Sequence, residues 1–385
     1  MGGAEWGRLA PGGSVTGGST WTSLDGAAPR HLYLSGPWSR NVGEWDSLLA
    51  RELHFRRARF PSLVRSGKAG WAVDSIHVGG ESTRAPLPRE LRRLLTEGGL
   101  EPAPGAEVAL EVAPQEVRPE RVDEWIRAGV TRLNLRTPAP GVPADWPRTT
   151  HLDRLVSWGV DLAFGHLEGS ADPLELLEAV ILRWTPPQVS LVEAAVEAPG
   201  EGSQAGADEL GQDHLADLYL ELTRRLDSAG YRQWSFTHFA LPGREPVHQQ
   251  AVLQGVPYLG LGPGAHSHLP GRRFWNLEDP GAYTSRLALQ QDPAAGEDQA
   301  TADQRLLEML WRSLSLAGGL DLRASGLHHP RSLRDRWVSA GFARPCRERL
   351  RLTPPGWLVL DSLVLELADA WPREGEQAQV FMNGE

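Results

Sequence analysis

Six short apolar stretches, each followed by a segment with helical spacing, constrain this chain more than any other feature. They are His31–Gly36 (HLYLSG), Val73–Gly80 (VDSIHVGG), Glu107–Ala113 (EVALEVA), Val130–Leu135 (VTRLNL), Val160–Gly165 (VDLAFG) and Gln188–Ala194 (QVSLVEA). Helical patterns are expected over Leu48–Arg59, whose basic face reads as solvated, then over Pro88–Glu97, Pro119–Ala128, His151–Trp158 and Leu174–Arg183. Strand–helix alternation of this kind means parallel βα units. An α/β fold is therefore expected, with the strands curled into a partial (β/α)6 TIM-like barrel. In such barrels chemistry sits at the C-terminal ends of the strands. Those ends here are Pro37–Asp46, Gly79–Thr83, Glu111–Pro114, Arg136–Pro138 and Gly165–Glu168.

The flanking regions read differently. Residues 1–30 are rich in Gly, Ser and Thr without an apolar period, and are expected to form a flexible arm. The barrel is assigned to residues 31–200 and an extension to 201–295. In that extension Asp213–Ala229 is a long amphipathic helix and Tyr231–Phe239 alternates like a strand. Residues 296–385 read as a mostly helical, winged-helix-like domain. Its elements are Thr301–Leu316, Ser332–Ala340, a short strand at Arg349–Leu352, and a last helix over Trp357–Ala370.

Composition narrows the function classes. The formal net charge of −10 argues against a general nucleic-acid binder, which needs a basic surface. No run of about 18 apolar residues marks a transmembrane helix, and no signal-peptide pattern is read, so a cytoplasmic protein is expected. The single cysteine, Cys346, excludes an intrachain disulfide and a Cys-ligated iron–sulfur cluster held by one chain. Oligomeric state is not legible. No G-x-S-x-G nucleophile elbow or P-loop occurs.

The stretch from Tyr258 to Asn276, YLGLGPGAHSHLPGRRFWN, is the densest candidate site. It reads as a buried strand running into a tight glycine turn, where another group approaches the backbone closely. It carries His266, His268, Arg272 and Arg273. A structural turn fits the same composition.

AGYRQWSFTHFALPG, GLGPGAHS with the downstream Arg-Arg and Asn, LTPPG with its following helix, and AGVTRLNL in the barrel resemble one family in that order. It is the HemW-type haem chaperone and oxygen-independent coproporphyrinogen III oxidase-like family of the radical SAM superfamily. The resemblance runs from about Leu32 to Ala370 and implies a radical SAM barrel, a 4Fe–4S cluster and S-adenosylmethionine (SAM). The family's Cys-x3-Cys-x2-Cys positions are filled here by Ser39, Gly43 and Asp46. Hydroxyl and carboxylate are hard oxygen donors, mismatched to a soft thiolate site, and glycine has no donor. Loss of the cluster and of radical chemistry is therefore expected, and with it loss of enzymatic activity. The resemblance places a vestigial SAM site at Gly79, Gly80, Glu111 and Asp161. The two carboxylates also suit satisfied groups inside a retained barrel.

For haem, the resemblance points to His248, in His248-Gln249-Gln250-Ala251-Val252-Leu253, where the family's Asn, Tyr and Trp are absent. An exposed loop histidine is the alternative reading of His248. His266 and His268 are rival ligands, and Arg272 and Arg273 are candidate partners for propionates. The function expected from these residues is haem or porphyrin binding, or delivery to a haem-accepting protein, without catalysis. A non-catalytic scaffold acting through a protein partner, and an active coproporphyrinogen oxidase-type enzyme, stand as alternatives.

Overall fold

A computed structural model describes residues 29–36, 45–59, 71–80, 86, 88–136, 152–164, 172–193, 209–322, 331–346 and 348–371. In chain order the barrel half contains β1 (His31–Ser35), α1 (Trp45–Arg59), β2 (Trp71–Gly79), α2 (Pro88–Glu97), β3 (Leu100–Val112), α3 (Pro119–Arg127), β4 (Arg132–Arg136), β5 (Ser157–Phe164), α4 (Pro173–Trp184) and β6 (Gln188–Glu193). There follow α5 (Glu209–Ser228), β7 (Arg232–Gln233), β8 (His238–Ala240), α6 (Val247–Leu253), β9 (Tyr258–Leu261), β10 (His266–Leu269), β11 (Arg272–Asn276), α7 (Pro280–Ala288) and β12 (Ala294–Asp298). The C-terminal region holds α8 (Ala302–Ser315), β13 (Leu320–Asp321), α9 (Arg331–Ser339), β14 (Ala343–Arg344), β15 (Arg349–Leu352), α10 (Pro354–Leu358) and α11 (Leu360–Asp369).

The six expected strands lie side by side in sequence order, β1 through β6, all parallel. A seventh parallel strand joins them. The YLGL of the glycine-rich stretch, β9, pairs with β1 in the register His31↔Tyr258 and Tyr33↔Gly260. Antiparallel strands β10, β11 and β12 extend this edge, and β8 and β7 extend the other, making a 12-stranded open sheet. The fold is a TIM-like α/β partial barrel with an appended helical domain.

Strand alternation sorts the side chains. Leu32, Leu34, Ile76, Val78, Leu110, Leu133, Val160 and Val189 join one large apolar core with the helices. The opposite face of the same strands is polar. A second apolar cluster, built on Leu310, Leu314, Trp337, Trp357 and Leu363, lies in the C-terminal region around the sheet β13-β15-β14.

Several expectations need correction. His151–Trp158 does not form the expected helix. Among the described residues Leu152 is helical, but 153–156 are turn and bend, β5 already runs from Ser157, and Trp158 is 2% exposed in the sheet core. Tyr231–Phe239 is not one strand. Residues 232–233 and 238–240 form a short antiparallel pair instead. The helix expected over Trp357–Ala370 breaks at Val359, which leaves helical geometry with φ −117 and ψ 24. The basic face of α1 is not solvated throughout, because Arg56 is fully buried. The arm at 1–28, most of the 200–211 connection, Ser39 and Gly43 fall outside the described residues.

Candidate functional site

The polar face of the parallel sheet is the concave interior of the half-barrel. The register sets Ser75 between His31 and Glu107, and His77 between Tyr33 and Ala109. Ser35 lies beside Gly79, and Glu111 beside Asn134. Asp161 pairs with Arg136 on one side and Ser190 on the other. His31, Ser75, His77, Glu107, Arg132, Asn134, Gln188 and Ser190 are all buried polar residues. Such groups persist in an interior only when hydrogen-bonded.

Helix α6 crosses this face. Glu107 caps it, accepting from the backbone N–H of Val247 and of His248, each at 3.0 Å. Gln188 on β6 donates to Gln249 Oε1 at 2.9 Å. These contacts carry His248 into the interior, where it is 4% exposed, so the exposed-loop alternative is corrected. Its Nδ1 lies 2.8 Å from Ser75 Oγ, which lies 2.8 Å from His31 Nδ1. Its ring stacks on His77 at 5.1 Å. Burial, with the charges of His77 and His31, pulls the His248 imidazole down to about 2, so it is neutral.

A cavity of about 440 Å³ opens between α6 and the strands, within the range of small-molecule sites. Its wall includes His77, His238, His248 and His266, with Tyr33 and Tyr258. His238 is held through Nδ1 by Ser235 Oγ at 2.7 Å, and burial lowers it to about 4. His266 is exposed on β10 at the cavity's edge and stacks on Trp275 at 5.9 Å. Burial and the Arg273 charge lower it, against the pull of Glu278.

His77 differs from the other cavity histidines. Burial disfavours its charged form, but its hydrogen bond to Glu111 at 2.9 Å and the charges of Glu111, Glu107 and Asp161 outweigh this and raise it. The reciprocal effect lowers Glu111, whose own burial is overcome by His77, Arg136 and the Gly80 N–H. Asp161 is pushed up to about 6 by burial and by the Glu111 charge, while Ser190, His77 and Arg136 pull it down. Gly79 and Gly80 make room for this cluster. A Cβ on Gly79 would meet the Glu111 carboxyl carbon at 2.6 Å, and Gly80 has φ +108. The Gly80 N–H donates to Glu111 Oε2 at 3.1 Å. The space created by the glycine pair is thus occupied by the protein's own carboxylate.

The remaining candidates lie apart. His268 is on β10, 3.3 Å from Arg312 Nη1, and is not among the cavity-lining side chains. Burial, Arg312 and Arg273 lower it to about 4. Arg272 pairs with Glu297 at 3.5 Å, and Arg273 with Asp298 and Glu308. Asp46 is buried and pairs with Arg93 at 3.5 Å. Cys346, the chain's only thiol, sits between β14 and β15, remote in the sequence from the strand ends. Among the described residues no group of three or more His, Cys, Asp or Glu side chains is arranged to hold a metal ion.

Sequence reading missed His77, His238, Tyr33 and the Ser75–His31 pair. A period of two through SIHVG places Ser75, His77 and Gly79 on one face, and that signal was sufficient to find His77. Nothing local marks His238.

No family model matches the chain. The heme chaperone HemW of Mycobacterium tuberculosis is 29% identical over 324 residues, covering 77% of this chain and 80% of that protein. HemW of Synechocystis is 24% identical over 303 residues, covering 72% and 71%. The coproporphyrinogen III oxidase HemN from Escherichia coli, described as a radical SAM enzyme, has the same fold with a TM-score of 0.67 at 18% identity, over 88% of this chain and 90% of that one. Over most of its length the chain is thus similar to HemW heme chaperones, and it shares its fold with HemN.

Proposed function

We propose that this chain is a HemW-like protein that binds haem or a porphyrin in the His-lined cavity, for storage or delivery, without a 4Fe–4S cluster and without radical catalysis. One observation carries the reading. His248 is a buried, neutral imidazole on the cavity wall, with its Nδ1 already engaged by Ser75. A neutral imidazole is the ligating form, and the bond at its other nitrogen fixes the ring's direction. One imidazole suffices to hold haem iron axially. His266 at the cavity edge is the alternative ligand. Arg272 and Arg273 reach propionates only by exchanging their present carboxylate partners.

The donor set supports the absence of a cluster. The three positions offer a serine, a glycine and an aspartate, and the only thiol belongs to the C-terminal region. Glu111, filling the space at Gly79, argues likewise against a working SAM site. We place the protein in the cytoplasm, in keeping with a chain that uses one cysteine and no disulfide, and among the described residues no helix is long and apolar enough to cross a membrane.

Titration with ferric haem tests the reading. A shifted Soret band that saturates at one haem per chain is expected, and His248→Ala should weaken binding at least tenfold. An unshifted spectrum at stoichiometric haem, or an unchanged affinity in His248→Ala, sinks it.

A further inference from the structure

Two of the cavity's imidazoles have an open nitrogen. His248 and His238 both line the cavity. Each is held through Nδ1, His248 by Ser75 Oγ at 2.8 Å and His238 by Ser235 Oγ at 2.7 Å with Thr237 Oγ1 at 3.2 Å. In neither ring does Nε2 have a hydrogen-bond partner among the described residues, and in neither is it sealed off by packing. His77 differs. Its Nε2 is taken by Glu111, and its Nδ1, though unpartnered, is closed off by its surroundings. His77 also lies nearly flat against His248, with ring centroids 5.1 Å apart and planes 23° apart, so those two rings stand together on one side of the cavity.

The two open imidazoles come from opposite walls. His248 sits against β2, touching Ser75 and stacking on His77. His238 belongs to β8 and pairs with Ser190 of β6, so its side chain shares the sheet's polar face with Ser190. The strand order runs β2-β3-β4-β5-β6-β8. Five steps of about 4.8 Å put β2 and β8 about 24 Å apart along the sheet. Only the curl of the sheet brings both to one cavity. Helix α6 bridges the gap, with His248 turned to β2 and the next residue, Gln249, accepting from Gln188 on β6.

The mount of His238 is firm. Trp234 packs its ring against the imidazole at 4.8 Å, and Ser235 is fully buried. The turn that carries them is braced by the C-terminal region. The Phe236 N–H donates to the Ser315 carbonyl, and the Ala317 N–H to the Trp234 carbonyl, each at 3.0 Å. A hydroxyl can accept from Nδ1–H, which leaves Nε2 able to ligate. A bond at one ring nitrogen aims the other at a metal.

The iron of a metalloporphyrin has one axial position on each face. We propose that His238 is a second axial ligand, opposite His248, so that the cavity takes an iron porphyrin in the six-coordinate, bis-imidazole state. The proposal rests on the haem reading above and deepens it by naming the ligand on the other face.

Optical and electron paramagnetic resonance spectra of the full chain with one equivalent of ferric haem test it. The wild type is expected to give a low-spin, six-coordinate complex. His238→Ala is expected to keep one haem per chain through His248 but to lose the low-spin signal for a high-spin one. His238→Asn, whose amide can replace Nδ1 at Ser235 while giving iron no imidazole, is expected to do the same. A merely structural role of His238 would leave His238→Asn low-spin. His266→Ala should stay low-spin. A high-spin wild-type complex, a low-spin His238→Asn complex, or loss of the low-spin signal in His266→Ala overturns the proposal and leaves the haem reading standing. Should both His238 variants fail to fold, nitrogen hyperfine spectra of the 15N-histidine-labelled wild type decide, since two imidazole nitrogens on iron are required and a single one overturns the proposal. A wild type that binds no haem at all removes the haem reading and this proposal together.

Discussion

Asp161 shows what single residues inside the half-barrel contribute. It is a carboxyl raised to about 6 from 3.8, chiefly by burial and by the negative Glu111. A raised carboxyl costs stability once it ionises. The cost is absent below the unfolded value, grows as pH rises between the two values, and is fully present above about 6. Asp161→Asn should therefore stabilise the protein by on the order of 1–2 kcal/mol at pH 7.5, with the gain vanishing below about pH 4. Urea unfolding of both proteins across pH measures this, and a gain that is constant with pH would contradict the account. The His77–Glu111 pair has the opposite sign. Raised His77 adds stability that is lost as pH climbs through its folded value, and lowered Glu111 adds stability that is lost as pH falls through its own. The sequence names Glu111 and Asp161, but not that a histidine on the neighbouring strand compensates one of them and leaves the other to bear the repulsion.

At the scale of elements, α1 and the glycine-rich stretch form one unit. Trp45, Leu48, Leu49, Glu52, Leu53 and Arg56 follow helical spacing, and all are buried. Glu52 within this stripe receives Arg56, the Gly262 N–H at 2.8 Å, Asn276 Nδ2 at 2.8 Å and the Tyr283 hydroxyl at 2.6 Å. Arg56 in turn donates to Asn276 Oδ1 at 2.7 Å and to Asp292 at 2.9 Å. The turn after β9 is thus clamped from the helix behind it. Gly262 there has φ +100, and a Cβ on Gly260 would meet the His266 carbonyl oxygen at 2.1 Å. Removing one member of such a buried pair strands the other charge. Glu52→Ala is expected to cost about 3–5 kcal/mol in denaturant unfolding, while the double change Glu52→Leu with Arg56→Met should recover much of it. A loss under about 1 kcal/mol in the single variant would show that the clamp is not structural. The glycine pattern was readable as a tight turn. Its partners on α1 were not, because Glu52 and Asn276 lie 224 residues apart, and an i,i+4 Glu–Arg pair in sequence looks like an ordinary solvated helix face.

On the scale of the whole molecule, an open parallel sheet presents its polar face to α6, and an antiparallel arm and a helical domain complete the chain. The fold shared with HemN is retained, while Ser39, Gly43 and Asp46 carry no thiolate. Anaerobic reconstitution with iron and sulfide is expected to leave no cluster absorption and no 5′-deoxyadenosine from added SAM. About four irons per chain together with that nucleoside would reverse this expectation. Fold and activity separate here because the residues that bury the sheet's core and the donors that would hold a metal cluster are different residues.

The sequence alone determined two things. Alternating apolar strands and amphipathic helices dictate parallel βα units, since both patterns follow from local geometry and from the need to bury one face. The identities at Ser39, Gly43 and Asp46 dictate which donor atoms those positions offer, since the atoms a side chain carries do not depend on its neighbours. Only the tertiary structure decided which polar groups meet. His248 reaches Ser75 across 173 residues, through the register of β2 beside β1 and β3 and through the Glu107 cap that anchors α6. Contacts of that range depend on packing to within an ångström, and no local pattern in the chain records it.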